Sequence, residues 1–92
     1  MISLENNIHS DMSHKILLTS TSFQDTPGAH QKLLQEQNFE IKSLRGPLKE
    51  NELIGLIDKF DGIICGDDEI TKAVISKGRL GKLKVISKYG IG

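Results

Sequence analysis

Short apolar runs alternate along the chain with longer segments whose apolar residues recur at helical spacing. Continuous apolar runs at residues 16–18 and 63–65, and apolar residues interspersed with polar ones at 39–44 and 83–86, predict four strands. An apolar run that is continuous, rather than alternating with polar residues, is typical of a strand buried on both faces of a parallel sheet.

The segments between these runs predict three helices. The first is expected to begin at Pro27, since Thr26 can cap it and proline is tolerated in a first turn, and to end near Asn38. The second is expected over residues 49–60, although no hydroxyl residue stands at its start. The third is expected to begin after Thr71, which is a capping residue.

Strands and helices that alternate in this way predict right-handed crossovers and a parallel α/β sheet. The commonest arrangement for such a short chain is flavodoxin-like, with strand order 2-1-3-4. Residues 1–13 are polar and aperiodic, so they are predicted to be a disordered leader. Residues 14–92 are predicted to form a single domain.

Composition narrows the class of protein. Of the 92 residues, 37% are hydrophobic and 26% charged, which is ordinary for a globular domain. Twelve basic and twelve acidic side chains balance, so neither a nucleic-acid partner nor a membrane surface is expected. The single cysteine, Cys65, cannot form an internal disulfide, which favours a reducing compartment, the cytoplasm.

Ligands of such sheets bind beyond the carboxyl ends of the strands, near the point where the strand order reverses. Residues 19–25, 66–68 and 89–92 are expected to meet there. Gly90-Ile91-Gly92 would let the backbone approach a ligand closely, and its N–H groups could hold a carboxylate. The same glycine pair is also compatible with a simple turn.

A family resemblance adds to this pattern. The chain from about Lys15 to Gly92 resembles the amino-terminal region of D-isomer-specific 2-hydroxyacid dehydrogenases, and most closely their phosphoglycerate dehydrogenase-like branch. The segments that carry the likeness are Pro47-Leu48, Glu50-Asn51-Glu52-Leu53, Asp61-Gly62-Ile63-Ile64-Cys65-Gly66, Ile70-Thr71 and Leu83-Lys84-Val85-Ile86-Ser87-Lys88-Tyr89-Gly90-Ile91-Gly92.

The resemblance implies that residues 14–92 are the amino-terminal part of the substrate-binding lobe of an NAD-dependent or NADP-dependent oxidoreductase and end before its NAD-binding domain. The implied substrate is a D-2-hydroxyacid such as 3-phosphoglycerate. It places Gly90, Ile91 and Gly92 at the substrate carboxylate, and Cys65 and Gly66, with Asp67, in the wall of the same cleft. The catalytic arginine, carboxylate and histidine of the family, and its NAD loop, would all lie beyond residue 92. The 92-residue chain alone is therefore expected to bind no cofactor and to be inactive.

The histidines and the cysteine are the side chains best suited to catalysis, but each also has an interpretation that involves no function. His9, His14 and His30 are predicted to be solvated surface residues, because none has an evident partner in the crevice. Cys65 is expected to be a buried hydrophobic residue rather than a nucleophile, since its neighbours are acidic.

The acidic run of Asp67, Asp68 and Glu69 could suggest a metal site. The favoured interpretation is that these residues precede a helix whose dipole attracts negative charge. No metal is expected.

Two other classes of protein share parts of this pattern. Residues 19–22 are similar to the hydroxyl-rich loop that holds a flavin phosphate, so a small flavodoxin-like ligand-binding module is the alternative to the dehydrogenase lobe. Against it, Gly28 is predicted to fall inside the first helix, and aromatic residues are few. A phosphoacceptor domain would need acidic residues directly after the first strand, where this chain has hydroxyls.

The fourth strand also predicts a partner. In the resembling family the sheet continues beyond this strand. Without that continuation the strand is an open edge, and the chain is predicted to self-associate around residues 83–87.

Overall fold

The computed structural model describes residues 14–89. Within these residues there are four strands, four helices and one 3₁₀ turn, in the order β1 (Lys15–Leu18), α1 (Thr21–Asp25), α2 (Ala29–Glu36), β2 (Glu40–Ser43), α3 (Glu50–Ile54), the 3₁₀ turn (Ile57–Lys59), β3 (Gly62–Cys65), α4 (Lys72–Leu80) and β4 (Val85–Lys88). No helix in this part of the chain has the length and apolar character that crossing a membrane requires. The leader prediction for residues 1–13 lies outside the described residues.

The four strands form one parallel sheet with the order β2-β1-β3-β4, as the sequence predicts. Leu17 of β1 lies beside Ile63 of β3, which in turn lies beside Ile86 of β4. Residues paired in this way project to the same face of a sheet, because side chains alternate along every strand. The register therefore defines one face through Leu17 and Ile63 and the opposite face through Ile16 and Val85.

The main core lies on the face defined by Leu17 and Ile63. Helices α3 and α4 and the 3₁₀ turn pack together over that face. The core residues share nearly complete burial: Leu17, Leu48, Leu53, Ile57, Phe60, Ile63, Cys65, Val74 and Leu83. Their burial is the main stabilising contribution to the fold, at about 25 cal/mol per Å² of apolar surface removed from water.

The segment between β1 and β2 differs from its prediction. Ser20 caps α1, with its hydroxyl accepting from the N–H of Phe23, so the hydroxyl-rich stretch becomes helix rather than loop. Thr26 ends α1 instead of beginning a helix, and α2 starts only at Ala29. Gly28, predicted to lie inside the helix, stands before it at φ 155°, a backbone conformation that favours glycine.

The second predicted helix is interrupted. Helix α3 covers Glu50–Ile54, and the 3₁₀ turn over Ile57–Lys59 follows after Gly55. At its start, the Glu52 carboxylate accepts from the N–H of Lys49 at 3.0 Å, which satisfies a helix-end donor without any hydroxyl. The third predicted helix begins where expected, because the Thr71 hydroxyl accepts from the N–H of Val74.

Strand β4 is an exposed edge strand of the sheet, as the predicted strand order implies. Every residue of Val85–Lys88 is exposed, and the buried Leu83 precedes the strand. On the face of Ile16 and Val85, an apolar groove of about 310 Å³ runs from β1 to β4. Helix α2 lies on this side, and its Leu34 contributes to one wall of the groove.

Candidate functional site

A polar pocket of about 170 Å³ lies at the carboxyl ends of the strands, at the switch point between β1 and β3. We call it the switch-point pocket. Its lining comes from four segments: residues 19–22, residues 46–47, residues 66–68 and Tyr89. Two of the three loops expected to meet there therefore do so, and Tyr89 is the described part of the third.

Ser20 joins two walls of this pocket. Its hydroxyl donates to the carbonyl oxygen of Tyr89 at 2.7 Å and accepts from the N–H of Phe23 at 3.1 Å. The N–H of Tyr89 in turn donates to the carbonyl of Cys65 at 2.8 Å. The end of β4 is thus held on one side by the start of α1 and on the other by the end of β3.

Asp68 fixes the opposite wall. Its two carboxylate oxygens accept from the backbone N–H groups of Gly66, at 2.9 Å, and Leu48, at 2.7 Å. Hydrogen bonds to both oxygens explain how a carboxylate that is only 9% exposed is accommodated. The segment before Leu48 contains a cis Gly46–Pro47 bond. A Cβ at Gly46 would lie 2.7 Å from the Thr19 carbonyl oxygen, so glycine permits this close approach.

The other two acidic residues of the run point to different partners. Asp67 is exposed and pairs with Lys88 across 3.8 Å at the pocket rim. Glu69 accepts from the N–H of Glu50 at 2.8 Å, at the start of α3 rather than of α4. Within residues 14–89 no cluster of three or more acidic, histidine or cysteine side chains could hold a metal ion.

Cys65 lies at the end of β3 with its side chain in the main core, 2% exposed. Burial, reinforced by the negative charge of Asp68, raises the pKa of its thiol. A neutral buried thiol is a poor nucleophile. Of the residues predicted to line the cleft, Gly66 and Asp67 do line the switch-point pocket, whereas the Cys65 side chain faces the core. Gly90, Ile91 and Gly92 lie outside the described residues.

His30 is not the solvated residue that the sequence predicted. It is half-buried, and its ring stacks on that of Tyr89. His14, by contrast, is 55% exposed and lies 3.8 Å from Asp61. Sequence reasoning also missed the roles of Ser20 and Asp68, whose partners are distant in sequence and follow only from the fold.

The loops that follow β1 and β3 do not fit a dinucleotide. The loop after β1 passes directly into α1, with the Ser20 hydroxyl in the capping position. The loop after β3 holds Gly66, Asp67 and the buried Asp68. Neither has the repeated glycines that allow a backbone to approach a pyrophosphate.

A comparison with known protein families gives no match to this chain, and a comparison with curated proteins gives no significant one. The likeness to the dehydrogenase family therefore stays a prediction.

Proposed function

We propose that this chain is the substrate-binding lobe of an NAD-dependent or NADP-dependent oxidoreductase that acts on a D-2-hydroxyacid in the cytoplasm. The observation that carries the proposal is a small polar pocket at the switch point of a parallel sheet with order β2-β1-β3-β4. Ligands of open α/β sheets bind at this place. The sequence resemblance supplies the class of substrate, and the cofactor would be held by residues other than those described.

The size of the pocket supports a small substrate. Pockets for drug-sized ligands commonly enclose about 300–1,000 Å³, whereas this one encloses about 170 Å³. That volume suits a ligand with few heavy atoms, such as a hydroxyacid, better than a flavin ring system. The hydroxyls of Thr21 and Ser22 in its lining are suitable partners for a hydroxyl or carboxylate group.

Two carboxylates, Asp67 and Asp68, lie in the lining of the pocket, and of the two only Asp67 has a cationic partner among the described residues. Asp68 accepts two backbone hydrogen bonds, and Asp67 lies 3.8 Å from the ammonium group of Lys88. An unpaired buried carboxylate would repel a second one. Lys88 offsets this repulsion at Asp67, whereas the neutral amides that bind Asp68 leave its charge in place. An acidic ligand should therefore bind with its carboxylate towards Thr21 and Ser22.

The alternative is a small flavodoxin-like binding module with no enzymatic activity. The conversion of the hydroxyl-rich stretch into α1 and the small volume of the pocket disfavour a flavin. An absorbance scan of the purified chain distinguishes the two, because only a bound flavin gives visible bands.

Ligand binding at the pocket can be tested by titrating the ¹⁵N-labelled chain with D-glycerate, 3-phosphoglycerate and FMN in separate NMR experiments. We expect the two acids to shift the amide signals of Thr21, Ser22 and Gly66, and FMN to leave them unchanged. Gly66→Ala should weaken acid binding about tenfold, which corresponds to about 1.4 kcal/mol. A Cβ there would lie 3.7 Å from Ser20, in ordinary contact, so the variant should fold while its methyl narrows the pocket.

Gly55→Ala is the matched control, since a Cβ at that exposed position has no neighbour closer than 3.5 Å. It should bind both acids like the wild type. Shifts spread evenly over the sheet, or equal affinities for Gly66→Ala and wild type, would contradict the proposed site. Visible flavin bands would replace it with the alternative.

A second copy of the chain is the partner that we propose for β4. Val85 is 58% exposed and Ile86 is 40% exposed, on a strand that pairs with β3 on one side. Apolar side chains on an open strand edge favour pairing with another chain.

A further inference from the structure

Three aromatic rings, from α1, from α2 and from the residue that follows β4, meet beside the switch-point pocket. The His30 ring of α2 stacks on the Tyr89 ring, with centroids 5.1 Å apart and planes inclined by 18°. Phe23 of α1 meets both of them edge-on, at 4.7 Å from His30 and 5.2 Å from Tyr89. Because Tyr89 lines the pocket, His30 contacts a residue of the pocket wall.

Hydrogen bonds connect the same residues. The Ser20 hydroxyl joins Phe23 N–H to the Tyr89 carbonyl. The Phe23 carbonyl lies 3.3 Å from His30 Nε2 and accepts from the side-chain amide of Gln31 at 2.9 Å. Rings and backbone together therefore form one unit that links α2 to the end of β4.

Helix α2 has no fully buried residue, and its partly buried ones are His30, Gln31 and Leu34. A helix with so little burial gains little from apolar packing, so its specific contacts contribute much to its position. The contacts of His30 and Gln31 with Phe23, and of His30 with Tyr89, are the ones nearest the pocket.

We propose that His30 is a positioning residue of the switch-point pocket. By stacking on Tyr89 it restricts the rotation of that ring and fixes the backbone carbonyl that accepts from Ser20. A wall fixed before the ligand arrives does not have to be ordered on binding, which improves affinity. The effect on ligand affinity rests on the proposed function, whereas the fixing of Tyr89 by His30 does not.

The full chain contains one tyrosine and no tryptophan, so Tyr89 is its own spectroscopic reporter. We expect His30→Ala to lose most of the tyrosine signal in near-ultraviolet circular dichroism and to weaken D-glycerate binding about 3- to 10-fold, the range typical of one aromatic pair. His30→Phe keeps a flat ring on Tyr89 and should restore the signal and most of the affinity. Lys32→Ala, an exposed position on the same helix, is the control and should match the wild type.

These measurements can overturn the positioning role of His30 in two ways. A tyrosine signal that is unchanged in His30→Ala overturns the positioning role, whatever the ligand does. Equal D-glycerate affinities of His30→Ala and wild type also overturn it. If the tyrosine signal is lost in His30→Ala and restored in His30→Phe while the wild type binds no acid, the proposed function fails, and His30 is shown to fix Tyr89 without serving that ligand.

Discussion

The thiol of Cys65 is 2% exposed and lies 3.5 Å from the carbonyl oxygen of Ser87, to which it can donate. Desolvation and the nearby charge of Asp68 raise its pKa in the folded chain. An unperturbed cysteine titrates at about 8.5. The folded state therefore holds its proton at a pH where the unfolded state begins to release it.

This difference predicts how stability depends on pH. Because the folded-state pKa is raised, the contribution of Cys65 is fully present below about pH 8.5 and is lost as the pH rises further. Urea unfolding of wild type and Cys65→Ala between pH 7 and 10 should show a steeper alkaline loss for the wild type. Native Cys65 should also react with a thiol reagent far more slowly than the urea-unfolded chain. Parallel pH profiles of the two proteins would show that the thiol is not perturbed.

Asp68 predicts a second residue-scale effect. In Asp68→Asn, one side-chain oxygen can still accept from an amide, but the new NH₂ group must face the other N–H donor. A buried donor left without an acceptor costs about 1–3 kcal/mol, so the free energy of unfolding should fall by about that amount. Asp67→Asn loses only the exposed ion pair with Lys88, whose charged atoms are 3.8 Å apart. It should therefore change the free energy of unfolding by less than about 1 kcal/mol. Similar urea midpoints for the two variants would argue against the role given to Asp68.

Among the elements, the sequence predicts those whose signals are local. Thr71 caps α4 because its side chain reaches its own helix, and the run around Ile63 forms β3 as expected. The prediction for the region after β1 is wrong, because it begins the first helix at Pro27 whereas α1 begins earlier, after Ser20. Thr26 and Pro27 form a start signal that is locally as good as the one at Ser20. Ser20 caps α1, and its additional bond to the distant Tyr89 carbonyl could not be read from sequence.

The packing of α4 on the segment before β4 gives an element-scale prediction. A Cβ at Gly78 would lie 2.5 Å from Leu83 Cδ2 and 3.0 Å from Leu83 Cβ. Alanine improves helix propensity by up to about 1 kcal/mol, whereas overpacking a core costs about 1–3 kcal/mol. The Leu83 Cβ cannot move without its backbone, so we expect Gly78→Ala to destabilise the chain in thermal unfolding.

The same substitution at Gly55 should have the opposite sign. Its backbone is in the right-handed helical region, at φ −73° and ψ −12°, and a Cβ there meets only ordinary contacts. Gly55→Ala should therefore stabilise by about 0.4–1 kcal/mol. A melting temperature that rises in both variants would show that helix propensity outweighs the contact with Leu83.

At the scale of the molecule, the predicted strand order is the commonest among the few topologies that alternating strands and helices with right-handed crossovers leave open, and the structure has that order. The position of the pocket followed from that order. The residues that form the walls of the pocket could not be predicted from the sequence. Asp68 joins Gly66 to Leu48, and His30 meets Tyr89, only after the chain has folded. The exposure of β4 was expected, because the predicted strand order puts this strand at an edge of the sheet.

The open edge of β4 carries the last prediction. The N–H of Val85 points to the Asp61 carbonyl and that of Tyr89 to the Cys65 carbonyl. Since alternate residues of a strand direct their backbone groups to opposite sides, those of Ile86 and Lys88 point away from β3.

Pairing of two β4 strands through these backbone groups would also cover the exposed Val85 and Ile86 side chains. An antiparallel pair centred on Ile86 places Lys84 opposite Lys88, and like charges in that position destabilise. We therefore expect a weak dimer that forms at chain concentrations on the order of tens of micromolar. Salt should strengthen this dimer, because it screens the repulsion between the lysines.

Light scattering should report the dimer for the wild type and a monomer for Val85→Lys. Leu33→Lys is the matched control, because Leu33 on α2 is as exposed as Val85, at 58%, and lies away from the edge. It should associate like the wild type. A wild-type chain that stays monomeric at these concentrations, with its β4 amides protected from hydrogen exchange, would rule out pairing through this edge. Loss of the dimer in Leu33→Lys as well would move the interface from the β4 edge to the α2 side of the sheet.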